Sequence, residues 1–152
     1  FGQGELEMNE ILLRSLTAGD ESALYRLLRA NDLPLDGLDD HLNSVVVAAA
    51  EEGIIGCAGL ELYGHDALLR SVCVDEVWRG LGLGDRLIDA AIARARKEGA
   101  TQLFLLTESA MSYFTRRGFS TVGRSQVPAG VSTSAEMTGA CPESATVMTR
   151  SL

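Results

Sequence analysis

In the stretch VDEVWRGLGLGDRL, residues 74–87, glycines stand at the alternating positions 80, 82 and 84 between an apolar strand-like run and an amphipathic helix. That spacing narrows what the turn can hold. A Walker loop ends in Gly-Lys-Ser/Thr, whereas Gly84 is followed by Asp85 and Arg86. A dinucleotide fingerprint places its third glycine three positions after the second, and counted from Gly80 and Gly82 that position is Asp85. What remains is Arg-x-x-Gly-x-Gly, met by Arg79, Gly82 and Gly84. Successive backbone N–H groups in such a loop converge on an anion, and the positive end of the following helix adds to them. A tight turn without a ligand is the alternative reading.

Around the loop, hydrophobic periodicity predicts alternating elements. ILLRSLT (11–17) reads as a strand, and Asp20 as the N-cap of a helix with Leu24, Leu27 and Leu28 at helical spacing. Pro34 ends that helix, and LDGLDDHL (35–42) reads as a short second one with Leu35, Leu38 and Leu42 on one side. SVVVAAAEE and IIGCAGLELY are strands about a turn at Glu52 and Gly53, and GHD (64–66) turns into ALLRSVCV (67–74), an antiparallel meander. Leu83, Leu87, Ile88, Ala91, Ile92 and Ala95 form one stripe of a helix from Leu83 to Glu98, stopped by Gly99. QLFLLT (102–107) is a strand covered on both faces, SAMSYFTRRG a helix closed at Gly118, and FSTVGR and ATVMTRSL the last strands. The order β α α β β β α β α β β describes an α/β protein with a mixed sheet.

A chain of 152 residues, 46% of them hydrophobic, makes about one domain with one sizeable core. FGQGELE (1–7), ahead of Met8, reads as an appended remnant, which leaves residues 8–152 as the domain. No apolar run approaches the roughly 18 residues of a membrane span. The net charge of −8 argues against nucleic-acid binding, so an anion must meet a local basic pocket, which Arg79 and Arg86 would supply. Cys57, Cys73 and Cys141 are too few and oddly counted for a disulfide framework, no leader pattern precedes them, and a cytoplasmic location is expected. His41 and His65 are isolated and show no metal-ligand spacing, so no metal is assigned.

The segments LLRSVCVDEVWRGLGLGDRLI and AMSYFTRRGF resemble the GNAT superfamily of acetyl-CoA-dependent N-acetyltransferases across residues 11 to 151. CAGLELYGHDALLRSVCV and CPESATVM resemble, within it, the arsenic-resistance N-acetyltransferases. The superfamily resemblance implies a GNAT fold: a mixed, mostly antiparallel central sheet of about seven strands, helices on both faces, splayed at strands four and five. It also implies that acetyl-CoA is the cosubstrate. Backbone groups of Val72 and Val74, with Cys73 between them, would pair with the pantetheine arm. Arg79, Gly80, Leu81, Gly82, Leu83 and Gly84 would hold the pyrophosphate, while Asp85 should point outward.

Acetyl transfer to an amine needs a neutral nitrogen, a donor to the developing oxyanion and a proton for the departing thiolate. By resemblance the oxyanion donor is a backbone N–H on the strand ending at Val74, and the proton donor is a Tyr where this chain has Phe114. Tyr113 is one residue earlier, turned by about 100° on a helix. It is a candidate acid, against a core or interface tyrosine; a bound water, or unassisted departure of the thiolate, are the other routes. Thr107 stands where the superfamily often has Asn, which puts that coenzyme contact in question. Glu61 and Glu108 are candidate bases, each against an exposed edge carboxylate. Glu61 is favoured because an apolar strand interior would raise its pKa. Arg70 interrupts an apolar run, either as a salt bridge, with Glu61 for instance, or as a clamp for a substrate carboxylate or oxyanion. Ser71 would lean to the opposite face.

If GHD is a three-residue hairpin loop centred on His65, Cys57 faces Cys73, as a packed pair or as a thiol pair able to bind trivalent arsenic or oxidise. The segment Val127–Ser144 is long for a hairpin, and it is expected to close the acceptor side of the cleft or to make a homodimer contact. The expected function is transfer of an acetyl group to the amino group of a small amino-acid-like molecule, in the narrower reading an organoarsenical or phosphinic glutamate analogue. The alternatives are a non-catalytic acyl-CoA-binding or arsenic-sensing module, and a protein N-acetyltransferase.

Overall fold

The computed structural model describes residues 10–152, so the remnant assigned to residues 1–7 lies outside them. Strands β1 (Leu12–Ser15), β2 (Val45–Ala50), β3 (Gly53–Tyr63), β4 (Asp66–Val74), β5 (Gln102–Thr107), β6 (Ser120–Thr121) and β7 (Thr146–Ser151) form one sheet in the order β1-β2-β3-β4-β5-β7-β6. Helices α1 (Glu21–Ala30), α2 (Leu83–Lys97), α3 (Met111–Arg116) and α4 (Ala129–Ser132) cover it on both faces. Among the described residues no helix is long and apolar enough to cross a membrane.

Strand alternation decides which helix packs where. Val46, Ala48, Ala58 and Leu60 turn to the face covered by the α2 stripe, while Val45, Val47 and Cys57 turn to Leu24, Leu27 and Leu28 of α1. Gly56 lets α2 approach: a Cβ there would sit 2.9 Å from Leu87 Cδ1. Val131 of α4 joins Leu68, Phe104 and Val147 in a third cluster.

All pairings are antiparallel except β4 with β5. That parallel pairing runs through Asp66↔Gln102, Ala67↔Leu103 and Leu68↔Phe104 and then stops, so the strands separate beyond Leu68 as the splayed fold requires.

Local differences have local causes. Asp20 occupies the N-cap of α1, yet its carboxylate accepts hydrogen bonds from Arg14 and from the Thr17 amide instead of capping. Residues 35–42 do not form a regular helix; Gly37, left-handed at φ +76°, starts a 3₁₀ segment, Leu38–Ser44, that breaks at His41. FSTVGR contributes only Ser120 and Thr121 to the sheet, because Gly123 onward turns into another 3₁₀ segment, Arg124–Gln126.

Candidate active site

The separation of β4 from β5 opens a cleft of about 460 Å³. Arg70, Ser71 and Val72 line one side and Leu105, Leu106 and Thr107 the other, with Tyr113, Phe114, Glu136 and Cys141 at its edges. The long connection between β6 and β7 thus supplies one wall, through Glu136, Ala140, Cys141, Pro142 and Ala145.

A bulge in β4 shapes this wall. The β3–β4 register runs from Tyr63↔Asp66 to Gly59↔Arg70 about a two-residue turn, Gly64 and His65, not the three-residue loop expected. Ser71 and Val72 then stand opposite Ala58, and the register resumes one residue later with Cys57↔Cys73. Ser71 takes the left-handed backbone at φ +56°, which brings its hydroxyl within 3.1 Å of Arg70 Nε rather than onto the opposite face. The cysteines face each other as expected, with their sulfurs 3.8 Å apart and the Cys57 thiol 3.0 Å from the Ser71 carbonyl.

At the glycine loop a second cavity, of about 260 Å³, is bounded by Val74, Trp78, Arg79, Gly80, Gly82, Leu83 and Gly84. Gly84 borders both cavities. Gly80 and Gly82 are left-handed, at φ +83° and +79°, and a Cβ at either would meet nothing within 4 Å. The first intrahelical bond of α2 runs from the Arg86 N–H to the Gly82 carbonyl, so the amides before it have no acceptor within the helix. Close access, free amides and a helix N-terminus fit a pyrophosphate. Arg79 lies alongside, its Nε donating to the Val74 carbonyl and its Nη2 to Asn31. Asp85 turns away from the loop to accept a hydrogen bond from Tyr113.

The Arg70 guanidinium is sealed from solvent and donates four hydrogen bonds within the fold. Nε donates to Ser71 Oγ; Nη1 donates to the Asp36 carbonyl at 2.7 Å and to Glu61 Oε2 at 2.7 Å; Nη2 donates to the Pro34 carbonyl at 3.2 Å and lies 3.3 Å from Glu136 Oε2. Of the two readings of Arg70, the structure shows the salt bridge: four of its five N–H groups donate within the fold, and the second Nη2 N–H is left beside Glu136. Glu61 is 1% exposed and lies behind Arg70, outside the cleft lining. Burial alone would raise its pKa, but hydrogen bonds from Tyr63, Ser134 and Arg70 outweigh burial and hold it below the ordinary value, the reverse of the expected shift.

Glu136 gave no signal in the sequence. It is 5% exposed and lines the cleft. Oε1 accepts the Cys141 thiol at 3.3 Å, whereas Oε2, although within ion-pair range of Arg70, has no hydrogen-bond partner. Burial pushes this carboxyl above its ordinary value, against the pull of Arg70.

Residues 41–121, more than half of the chain, match the acetyltransferase (GNAT) domain family. The chain belongs to the GNAT acetyltransferase family. It is 28% identical over 116 residues to the amino-acid acetyltransferase of Pasteurella multocida, covering 70% of this chain and 26% of that protein. To the amino-acid acetyltransferase of Pseudomonas putida it is 32% identical over 94 residues, 60% of this chain and 22% of that one. The chain thus spans about a quarter of the length of these relatives. Its fold matches the N-acetylglutamate synthase of Neisseria gonorrhoeae, solved with coenzyme A and N-acetyl-glutamate, at a TM-score of 0.80 and 22% identity over 93% of this chain and 35% of that one. A Mycobacterium tuberculosis protein solved with coenzyme A matches at 0.76 and 21% identity, over 93% of this chain and 99% of that one.

In this GNAT domain Phe114 is buried edge-on against Tyr113 and Phe119. Tyr113 lines the cleft, but its hydroxyl is tied to Asp85, and burial with that carboxylate pushes its pKa up to about 12. Thr107 accepts the Ala110 amide at 2.9 Å, so its hydroxyl shapes the turn into α3. The structure therefore gathers Arg70, Val72, Thr107, Tyr113 and Phe114 around one cleft and places Glu108 there as an exposed side chain, but leaves Glu61 behind it.

Proposed function

We propose that this chain is an acetyl-CoA-dependent N-acetyltransferase acting on the amino group of a small amino-acid-like molecule. The observation that carries this reading is that Gly84 borders both cavities, so the glycine loop adjoins the gap between β4 and β5. The thioester supplies the acyl group. Amides from Leu81 to Gly84 would hold the pyrophosphate, and the unpaired edge of β4 from Val72 through Cys73 to Val74 would hold the pantetheine arm as an added strand. An N–H on that edge would donate to the oxyanion.

Tyr113 is a weak candidate for the acid, since its proton is engaged by Asp85. A thiol has a pKa of about 8.5, so the thiolate can depart without a dedicated acid. Arg70 and Glu61 act as a positioning pair that fixes the bulged part of β4. The narrower acceptor, an organoarsenical or phosphinic glutamate analogue, is supported by the resemblance of CAGLELYGHDALLRSVCV and CPESATVM alone.

The test is thiol release from acetyl-CoA over amino acids, phosphinic and arsinic glutamate analogues, polyamines and a lysine peptide. Fast release with an amino-acid-like acceptor is expected. Release at the acceptor-free rate across the panel, despite tight coenzyme binding, would overturn the reading in favour of a non-catalytic acyl-CoA-binding module.

A further inference from the structure

An amine reaches the cleft mainly as ammonium at neutral pH and must lose a proton before it can attack a carbonyl. Among the described residues that line the cleft, the carboxylates are Asp32, Glu108 and Glu136, and only Glu136 is buried. A buried oxygen without a partner is costly unless something supplies the missing hydrogen bond. Glu136 Oε2 is such an atom, on a residue that lines the cavity. Arg70 Nη2 lies 3.3 Å from this oxygen as an ion pair without a hydrogen bond, and no other cation among the described residues lines the cleft.

We infer that Glu136 is the seat of the acceptor's amino group: Oε2 holds the ammonium and then takes its proton. The inference rests on the acetyltransferase reading and names the residue that activates its acceptor. The N–H bond breaks and an O–H bond forms on Glu136. The freed lone pair bonds to the thioester carbon, the C–S bond breaks, and the second nitrogen proton passes to the departing thiolate. Glu136 returns its proton to water through the open cleft. Its surroundings favour this role. Burial raises its pKa toward that of a useful base; Arg70 from β4 and the Cys141 thiol oppose the rise, while Glu61 from β3 and Asp36 from the loop before the 3₁₀ segment add to it. Cys141 on Oε1 and Ser134 Oγ on the Glu136 amide fix the side chain and its backbone.

The experiment is the pH profile of kcat/KM for the wild type, Glu136→Gln and Glu136→Asp with the best acceptor of the panel, with coenzyme A affinity measured by calorimetry. Glu136→Gln should lose about 10²-fold or more in kcat/KM and the acidic limb of the profile, at unchanged coenzyme affinity. Glu136→Asp should keep the limb at a lower rate. A glutamine variant that keeps its rate and limb would overturn the inference, as would one that loses coenzyme affinity or unfolds. A second readout needs no turnover. The carboxyl ¹³C resonance of labelled Glu136, assigned by its loss in Glu136→Gln, should move on titration with methylammonium chloride. A resonance that stays fixed overturns the amine seat, whereas a wild type without acceptor-dependent release overturns the acetyltransferase reading; the two failures are distinct.

Discussion

Nη1 of Arg70 donates a 2.7 Å hydrogen bond to Oε2 of Glu61, and neither side chain reaches solvent. Removing one partner of such a pair leaves the other charge buried and uncompensated. Arg70→Ala should therefore destabilise the fold by about 3–5 kcal/mol in urea unfolding, since Glu61 and Glu136 both lose their cation. The double variant Arg70→Met with Glu61→Leu should be more stable than Arg70→Ala. A folded, equally stable Arg70→Ala protein with only a raised acceptor KM would instead identify Arg70 as a substrate clamp.

Gly82 combines a left-handed backbone with open space in front of it. A valine there would carry a branched side chain into the volume the phosphates need, and would add backbone strain of about 1–2 kcal/mol. Gly82→Val should weaken coenzyme A binding by about tenfold or more in calorimetry, with the protein still folded. Equal affinity would mean that the glycines serve the turn alone.

Much of this architecture was legible because it is written in periodicities. The apolar run Val45–Ala48 marks a strand buried on both faces, the stripe from Leu83 to Ala95 names the buried face of its helix, and the spacing of Gly80, Gly82 and Gly84 names a loop. What stayed hidden depends on contacts between distant segments. Glu136 sits in an aperiodic stretch and meets Arg70, far away in sequence, at 3.3 Å. Ser71 shows no mark of a bulge within ALLRSVCV, and the expected opposition of Cys57 and Cys73 holds because a shorter turn and the bulge offset one another. Glu61 is legible as a strand carboxylate, but the hydrogen bonds that reverse the effect of its burial include ones from Arg70 and Ser134, which no local pattern reveals.

The two facing cysteines should differ in reactivity. The hydrogen bond between the two thiols and the charge of Arg79 hold the Cys73 thiol below its ordinary value despite burial, while Cys57 is pushed well above it by that same bond and by full burial. Burial beside Glu136 pushes Cys141 up to about 12. Iodoacetamide should alkylate Cys73 first, because the thiolate is the nucleophile. Coenzyme A should protect it, as Cys73 lies on the strand edge assigned to the pantetheine arm. Peptide mass mapping checks both points; first labelling at Cys57 or Cys141, or no protection, would contradict this placement.

Asp20 ties the entry of α1 to β1. Its carboxylate accepts Arg14 Nη1 at 2.6 Å and the Thr17 amide at 2.8 Å, and these two bonds hold its pKa well below the usual carboxylate range. A carboxyl that titrates lower in the folded than in the unfolded chain stabilises the fold above the unfolded pKa of about 3.9, and that stabilisation is lost as pH falls toward the folded value. Asp20→Asn keeps an acceptor for Thr17 but loses the charge facing Arg14. It should cost about 1 kcal/mol at pH 7, with the gap to the wild type closing below about pH 4. Chemical unfolding at pH 7 and pH 3 measures it, and Arg14→Met should flatten the same dependence because Arg14 supplies its largest part. A gap unchanged at pH 3 would show that the carboxylate's shape, and not its charge, anchors the helix.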